Sequence, residues 1–375
     1  MLLSDRANAF TEKLAPGLIT ALTDVGLAEL ERDSATGIDI FRTRGRTGMF
    51  VPENLGGADA TATAALHYML TLGSLAPSLS IVATMHHFSV ASLAKSQQDF
   101  DELESFTLTA IATDNLLVSS AFAEARPGAG MFEPSMTATR DADVWLVNGS
   151  KKPCTMSRSM DLISASVRLD GDDAGYAIMV APATLPGIST HPFWQAPVLR
   201  AAESDEVRLE NVPVPDDCII RPNIDPQTGI DNLQKNGLIW FCVLASASYL
   251  GMVVGLVNKI QQSGRADDRI LGEYFLELNA ALNLLEGVAR TVDEGLRDPD
   301  ATLADCLTMR FSIVETIARM VPRALETLGG VAFISDPAVG LLAASANALV
   351  FHPPTRRSII GELGRYSVGS AMRFS

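Results

Sequence analysis

Two of the places at which the chain carries histidine are candidates for proton exchange near neutral pH. His86 and His87 lie within a long apolar segment, and His352 stands directly before Pro353 and Pro354. Imidazole changes its charge in the physiological pH range, so both places are candidates for acid–base chemistry. Neighbouring residues of a helix point to different sides, and no His-x3-His spacing occurs. We therefore expect no metal site.

The sequence around His352 favours a projecting imidazole. Pro353 has no N–H, and its ring biases the preceding residue toward an extended backbone. We therefore expect His352 to face a pocket as a catalytic residue. The alternative is that it caps a helix C-terminus, where a cation is favoured. His87 is the second catalytic candidate, and its alternative is an ordinary core or surface histidine.

Small and turn-forming residues mark a different kind of site between residues 122 and 157. This stretch begins FAEARPGAG and, after a spacer, continues WLVNGSKKPCTMS. Gly130 has no Cβ, so the backbone there can approach a flat or phosphorylated ligand. Residues 144–147 predict a strand, Asn148-Gly149 a two-residue hairpin turn, and residues 151–155 the returning strand.

These two segments together resemble the acyl-CoA dehydrogenase superfamily, in which the pattern is FALTEPGAGSD and, further along, NGxK before a Trp-Ile-Thr segment. In that family both segments lie against the flavin isoalloxazine. The chain departs from the pattern where the family has Thr, Glu, Ser, Asp and Trp, at Ala125, Arg126, Met131, Phe132 and Pro153. The matching residues are Phe122, Ala123, Pro127, Gly128, Ala129, Gly130, Asn148, Gly149, Lys151 and Thr155. The resemblance implies FAD, with FMN as the alternative, bound by Phe122, Ala125, Gly130, Met131, Pro153, Cys154 and Thr155.

Further segments extend the resemblance from about residue 48 to the C-terminus. Residues 48–57 resemble the family's GLLVPEEHGG turn, and residues 210–215 resemble its FDNVRVP segment. Residues 325–330 resemble LQLLGG, which packs on the dinucleotide. Residues 269–272 are similar to Arg-x-x-Phe-Gly, although Arg269 stands one residue closer to the glycine. The resemblance implies that Arg269, Gly329 and Gly330 bind the cofactor of a partner subunit in a homodimer or homotetramer.

The glutamate that most family members use as a base has no counterpart here. The two corresponding places fall at about Thr355 and near Phe241, and a hydroxyl without a partner is a poor base at neutral pH. Three hypotheses stay open. The first is oxidation of an acyl thioester, bound to CoA or a carrier protein, with another base or with a substrate whose proton is easier to remove. The second is a flavin-dependent monooxygenase that uses the imidazole of His352. The third is a non-catalytic homologue acting in assembly.

The spacing of apolar residues changes near residue 110 and again near residue 232. Helical spacing dominates before and after, whereas short runs such as 162–167, 176–180 and 206–209, separated by Gly, Pro and Asp, predict strands. The expected fold is mainly α with a central β domain, of the acyl-CoA dehydrogenase type. The expected domains are an N-terminal helical domain (1–110), a β-barrel-like middle domain (111–225) and a C-terminal four-helix bundle (226–375).

Composition limits the partners and the compartment. A net charge of −15 and a pI near 4.8 disfavour nucleic acid and anionic membrane surfaces, which leaves a small-molecule or acyl-thioester substrate. The four cysteines are far apart, and no signal peptide is evident, so we predict a cytoplasmic protein. Residues 238–257 are long enough to span a membrane, but the middle of a helical bundle also requires such a helix.

Overall fold

The structure, a computed structural model, describes residues 2–95, 100–126, 133–171, 174–225 and 227–374. Helices come first, and several begin at a side-chain cap: Asp33, Thr61 and Asp101 each accept a hydrogen bond from a first-turn backbone N–H. The helices are α1 (Leu2–Leu14), α2 (Leu18–Val25), α3 (Leu27–Arg32), α4 (Ser34–Arg44), α5 (Ala62–Leu75), α6 (Pro77–Ala94) and α7 (Glu102–Thr113).

Strands follow and form one mixed, mostly antiparallel sheet with the order β6-β7-β3-β2-β4-β5-β8, while β1 pairs in parallel with β4. Alternate side chains of the strands build a second, separate core around Trp145. The strands are β1 (Val118–Ala121), β2 (Thr137–Asp141), β3 (Val144–Cys154), β4 (Leu162–Leu169), β5 (Gly175–Pro182), β6 (Ile188–His191), β7 (Asp205–Pro215) and β8 (Ile219–Ile220).

Helices return at the C-terminal end: α8 (Asn232–Ser263), α9 (Asp268–Glu294), α10 (Pro299–Ser335), α11 (Pro337–Ala346) and α12 (Arg356–Ser367). A short 3-10 turn, Asn347–Phe351, follows α11, and α10 is kinked at Gly329. This order of helices, strands and helices confirms the expected fold class. The domain boundaries drawn at residues 110 and 225 remain predictions.

Helix α8 is the centre of the helical part. It is long and apolar enough to cross a membrane, but 94% of its most apolar window is buried inside the protein. The N-terminal helices α5 and α6 and the C-terminal helices α9, α10 and α11 pack around it. One continuous apolar core therefore joins the two helical regions, and α8 needs no partner subunit for its cover.

The backbones of α5 and α8 approach each other closely where the two helices cross. A Cβ built on Gly73 would lie 2.0 Å from the Ser248 carbonyl oxygen, and one on Gly251 would lie 2.2 Å from that of Leu70. Both distances are far below any normal contact. The two glycines therefore let the helix backbones touch and fix where α8 lies along α5.

The predicted hairpin at Asn148-Gly149 is wrong. Strand β3 runs straight through these residues, and its pairing with β7 shifts register there as a β-bulge. Gly149 has a φ of 138°, and a Cβ on it would lie 2.9 Å from the Met136 Cα. The Asn148 side chain accepts from the backbone N–H of Asn211 at 2.8 Å. An Asn-Gly pair thus serves a bulge as well as a turn.

Replacing Gly251 by alanine should loosen the α5–α8 crossing, since the added methyl group meets a backbone carbonyl. We expect Gly251→Ala to lower the free energy of unfolding by about 1–3 kcal/mol, measured by urea denaturation. The matched control is Gly272→Ala on α9, where a Cβ meets nothing within 4 Å. That variant should gain roughly 0.5–1 kcal/mol, and equal stability of the two variants would contradict the close crossing.

Candidate active site

The structure brings together the two segments between residues 122 and 157. The backbone N–H of Lys152 donates to the Ala123 carbonyl at 2.8 Å, and the Lys151 ammonium lies 2.7 Å from Glu124 Oε1. Lys151 belongs to β3, whereas Glu124 lies in the chain that leaves β1. These contacts hold residues 122–126 against the C-terminal half of β3.

The Lys151–Glu124 pair is the electrostatic anchor of this region. Lys151 is fully buried and also donates to Ser166, while Glu124 accepts from the Ser135 backbone N–H and hydroxyl. Burial lowers the pKa of Lys151 to about 8, although Glu124 opposes that shift. Burial alone would raise the pKa of Glu124, but hydrogen bonds from Lys151 and Ser135 outweigh it and lower this pKa to about 2. Both groups are therefore charged at neutral pH.

Hydroxyl groups cluster where β3 ends. Thr155 Oγ1 and Ser204 Oγ lie 3.1 Å apart, and this pair keeps one hydroxyl proton for a further acceptor. The Ser119 hydroxyl donates to the Thr155 carbonyl. Cys154 faces into the core of the sheet, so only its backbone can reach a ligand on the other side. The hydroxyls of Thr155 and Ser204 can each donate and accept hydrogen bonds, which fits the polar edge of a flavin ring. The sequence did not indicate Ser204.

The other predicted cofactor residues are not gathered at this place. Gly130 and Met131 lie outside the described residues, and Ala125 is exposed with a φ of 49°. Arg269 is exposed on α9, 3.6 Å from Glu273. Gly329, with Gly330 behind it, forms the kink of α10. Arg265, which no motif indicated, donates to the Leu328 carbonyl beside this kink. The roles of the predicted residues stay predictions.

The two adjacent histidines of α6 have different surroundings. His86 Nδ1 accepts from the Val118 N–H at 3.0 Å, so its proton lies on Nε2, which donates to the Thr47 carbonyl at 2.9 Å. Burial lowers the pKa of His86 to about 4, so this neutral ring joins α6 to β1. The His87 ring packs edge-on against Phe41, Phe50 and Tyr68.

Both nitrogens of His87 lack a hydrogen-bond partner among the described residues. Burial and the neighbouring His86 lower the pKa of His87 well below its ordinary value. His87 is therefore a neutral, enclosed imidazole. Its catalytic role stays a prediction.

A second aromatic group leads from α6 to His352. The Phe88 ring centroid lies 5.4 Å from that of Phe241, which lies 5.5 Å from that of His352. Tyr249 Oη is 2.7 Å from His352 Nε2. We call Phe88, Phe241, Tyr249 and His352 the aromatic wall. The sequence analysis missed Tyr249, because 103 residues separate it from its partner.

The contacts of the aromatic wall define the proton positions. The backbone at His352 is extended, as Pro353 predicts, with φ −72° and ψ 134°. Burial raises the pKa of Tyr249, which therefore keeps its proton. A buried hydroxyl needs an acceptor, and Nε2 is the acceptor in reach among the described residues, so we assign the His352 proton to Nδ1. Burial, together with Arg310, lowers the pKa of His352 to about 4. His352 is thus a neutral imidazole with one N–H to offer.

Removing one partner of the Lys151–Glu124 pair should cost more than removing both. Glu124→Gln removes the carboxylate that pairs with the fully buried Lys151 ammonium, so we expect a loss of about 3–5 kcal/mol in the free energy of unfolding. Lys151→Met combined with Glu124→Gln should recover part of that loss. Arg168→Met, which breaks an exposed pair with Asp170, is the control and should cost about 0–1 kcal/mol.

The acid dependence of the same pair has a definite sign. The pKa of Glu124 in the folded protein, about 2, lies below its ordinary value of 4.5. The pair therefore contributes stability above pH 4.5 that is lost as the pH falls toward 2. Glu124→Gln should flatten the stability profile in that window, and an unchanged acid profile would contradict the assigned pair.

Comparison with known proteins identifies relatives along the whole chain. The chain is 38% identical to isobutylamine N-hydroxylase of Streptomyces viridifaciens, over 98% of each protein. It is 20% identical to acyl-CoA dehydrogenase FadE12 of Mycobacterium tuberculosis, over 87% of this chain and 86% of that protein. No protein-family model matches the chain.

Solved structures show the same fold. KijD3 in complex with FMN and an amino-keto sugar nucleotide superposes with a TM-score of 0.83 at 18% identity, over 97% of this chain and 94% of that one. Glutaryl-coenzyme A dehydrogenase with glutaryl-CoA superposes with a TM-score of 0.77 at 18% identity, over 100% and 96%. Together with the 38% identical relative, these matches establish that the chain belongs to the acyl-CoA dehydrogenase superfamily and is a flavin-dependent oxidoreductase.

Proposed function

We propose that this enzyme hydroxylates the nitrogen of a small aliphatic primary amine. When bound, reduced flavin supplies two electrons and the activation of O2. One oxygen atom is inserted into an N–H bond to give R–NHOH, and the other leaves as water. The relative that is 38% identical over 98% of this chain is named for this reaction on isobutylamine, and that name supports the substrate class.

The observation that carries the proposal is that the aromatic wall has a cation beside it and no carboxylate. An amine reacts through its nitrogen lone pair, which the ammonium form lacks. The wall contains no carboxylate, and the sequence has no Asp or Glu over 238–257 or 337–361. The charged group that acts on His352 is Arg310, a cation. Burial beside a cation lowers the pKa of a bound amine, so this surface favours the neutral, reactive form.

His352 has a specific task in this proposal. Its Nδ1–H donates a hydrogen bond to the oxygen that is transferred, and Tyr249 fixes the ring by donating to Nε2. Because the pKa of His352 is held at about 4, the ring keeps this neutral form at neutral pH. Preorganised donors of this kind stabilise charge that develops on an oxygen.

The same features weigh against the acyl-thioester hypothesis. Removing a proton next to a thioester requires a base, and an imidazole with a pKa of about 4 is a weak one.

The hydroxyls of Thr155 and Ser204, with the backbone near Phe122 and Pro153, hold the flavin ring in this proposal. Arg269, Gly329 and Gly330 contact the phosphate part of a partner subunit's flavin.

A direct assay separates the hypotheses. The protein is loaded with reduced FMN or FAD, mixed with isotope-labelled O2 and isobutylamine, and the products are identified by mass spectrometry. We expect labelled N-hydroxylamine. In a second arm, oxidised flavin-loaded protein is mixed anaerobically with isobutyryl-CoA, and flavin absorbance is followed. Bleaching there, without hydroxylamine from any small primary amine in the first arm, would overturn the proposal.

His352→Gln tests the residue within the same assay. We expect flavin binding and folding to be retained, while turnover falls by roughly 10²–10⁴-fold. His191→Gln, on the partly exposed β6 strand, is the control and should keep wild-type turnover. If His352→Gln stays within a few fold of wild type, the catalytic role of His352 is wrong.

We also propose that the enzyme is a homodimer or homotetramer. Large apolar side chains are exposed on α9 and beyond the kink of α10: Leu276 (69%), Val331 (69%), Phe333 (53%) and Ile334 (83%). Helices α9 and α10 pack against each other, and exposed large apolar side chains are typical of protein–protein interfaces. Arg269 and Gly329 lie on these same two helices, which supports a cofactor site shared between subunits.

Ile334→Asp should weaken this assembly, because it places a charge in an apolar contact. We expect sedimentation to show an oligomer for the wild type and a dissociation constant raised by roughly tenfold or more for the variant. Leu296→Asp, equally exposed but at the α9–α10 connection, should sediment like the wild type. A wild-type monomer at micromolar concentration would contradict the proposed assembly.

A cytoplasmic location is proposed from the cysteines. All four thiols are free, and Cys154, Cys242 and Cys306 are buried. Burial raises their pKa values. Protein thiols persist in the reduced state in a reducing compartment.

A further inference from the structure

Arg310 is a buried cation that meets no carboxylate among the residues that the structure describes. It lies on α10 and is 1% exposed. Two other buried charges have partners of opposite sign: Glu286 is met by Arg6 and Arg290, and Lys151 by Glu124. Arg310 forms no salt bridge in the part of the chain that the structure describes. A buried cation without an anion is costly, so its local contacts must offset that cost.

Those contacts are carbonyl oxygens and aromatic rings. One guanidinium nitrogen donates to the Pro353 carbonyl at 3.1 Å, and the other terminal nitrogen donates to the Pro354 carbonyl. The guanidinium carbon lies 5.9 Å from the Phe241 ring centroid and 5.1 Å from that of Phe311. The planar fork of arginine suits two acceptors in succession, which a lysine could not match.

These two carbonyls belong to the turn that carries His352. The turn connects the 3-10 segment Asn347–Phe351 to α12. Pro353 and Pro354 have no N–H, so neither can anchor the turn as a backbone donor. Arg310 therefore fixes this turn from α10, next to the residue whose ring meets Tyr249.

The charge of Arg310 acts on the same imidazole. Around His352, α8 offers Tyr249 and α10 offers Arg310, while the sequence of α11 contains no ionisable side chain. Cys242 of α8 lies close enough to Arg310 for the cation to lower its pKa, against burial, which raises it. Burial is the larger cause of the lowered pKa of His352, and the charge of Arg310 is the next. No carboxylate among the described residues opposes them.

We propose that Arg310 is a positioning residue for the reaction: its two hydrogen bonds hold the Pro353-Pro354 turn that presents His352 to Tyr249, and its unpaired charge keeps His352 and a bound amine uncharged. This proposal rests on the role of His352 in amine hydroxylation. It assigns Arg310 no direct contact with the substrate.

The test titrates His352 in flavin-loaded protein by NMR of isotope-labelled histidine. The chain has five histidines, and His352→Gln identifies the signal. We expect a native pKa near 4 and a rise of about one unit or more in Arg310→Gln, since a nearby cation has been removed. The matched control is Arg323→Gln, another α10 arginine over an aromatic ring, 5.5 Å from Tyr274. It should leave the His352 titration unchanged.

Turnover gives a second readout. The neutral imidazole is the active form, so kcat falls as the pH drops through the pKa of His352 in the complex. Arg310→Gln should move this fall in kcat, the acid limb of the pH profile, to a pH that is higher by about one unit. It should also reduce kcat at its optimum by roughly 10–100-fold. Arg310→Lys keeps the charge but loses the fork, so the limb should stay in place while kcat falls.

The outcomes separate this proposal from the proposed function. A native His352 pKa at or above its ordinary value of 6.5 would overturn the proposal even if Arg310→Gln does not fold. An unchanged pKa in folded Arg310→Gln would overturn the charge effect, and wild-type kcat in Arg310→Lys would overturn the positioning effect. If the expected NMR shifts appear but no amine is hydroxylated, the electrostatic role of Arg310 stands and the substrate assignment fails.

Discussion

The contact of α5 with α8 at Gly73 and Gly251 is the constraint on which the arrangement of the helical part depends. It fixes the rotation and the register of the longest apolar helix. Tyr249 lies two residues from Gly251, about 200° around the helix, so the tyrosine faces away from α5. Phe241 meets Phe88 of α6 on one side and His352 on the other. A single close crossing thus decides which α8 side chains reach the aromatic wall.

Three buried groups of charged side chains show how the protein offsets the free-energy cost of burying charge. Glu286 is surrounded by Arg6, Arg290 and the imidazole of His67, and this cluster joins α1, α5 and α9. The Lys151–Glu124 pair ties the chain after β1 to β3. Both clusters are neutralised locally, as structural ion pairs should be. Arg310 differs because its hydrogen bonds and ring contacts among the described residues are to the Pro353 and Pro354 carbonyls, Phe241 and Phe311. No carboxylate there screens its charge, so its field reaches the neighbouring imidazole.

Much of the fold could be predicted from the sequence, because its elements depend on local patterns. The apolar residues 238–257 predict the core of a helical bundle, and they form the middle of α8. The runs 162–167 and 176–180 predict strands, and they lie in β4 and β5. The failure at Asn148-Gly149 shows the limit of local patterns, because a bulge and a turn require the same residues. The Tyr249–His352 contact and the Arg310 hydrogen bonds join distant parts of the chain. No spacing rule reveals such contacts before the helices are packed.

Arg310 has a consequence for the glutamate base that the resemblance to the family predicts and that the chain lacks. Phe241 lies near one of the two positions at which the resemblance to the family predicts a carboxylate, and its ring centroid is 5.9 Å from the Arg310 guanidinium carbon. A glutamate there would lie within range of an ion pair with that guanidinium. The pair would lower the pKa of the carboxyl and weaken it as a base. A site with this arginine is therefore poorly suited to remove a carbon-bound proton. It suits the proposed reaction, in which the substrate must stay neutral and the proposed donor is the uncharged imidazole of His352.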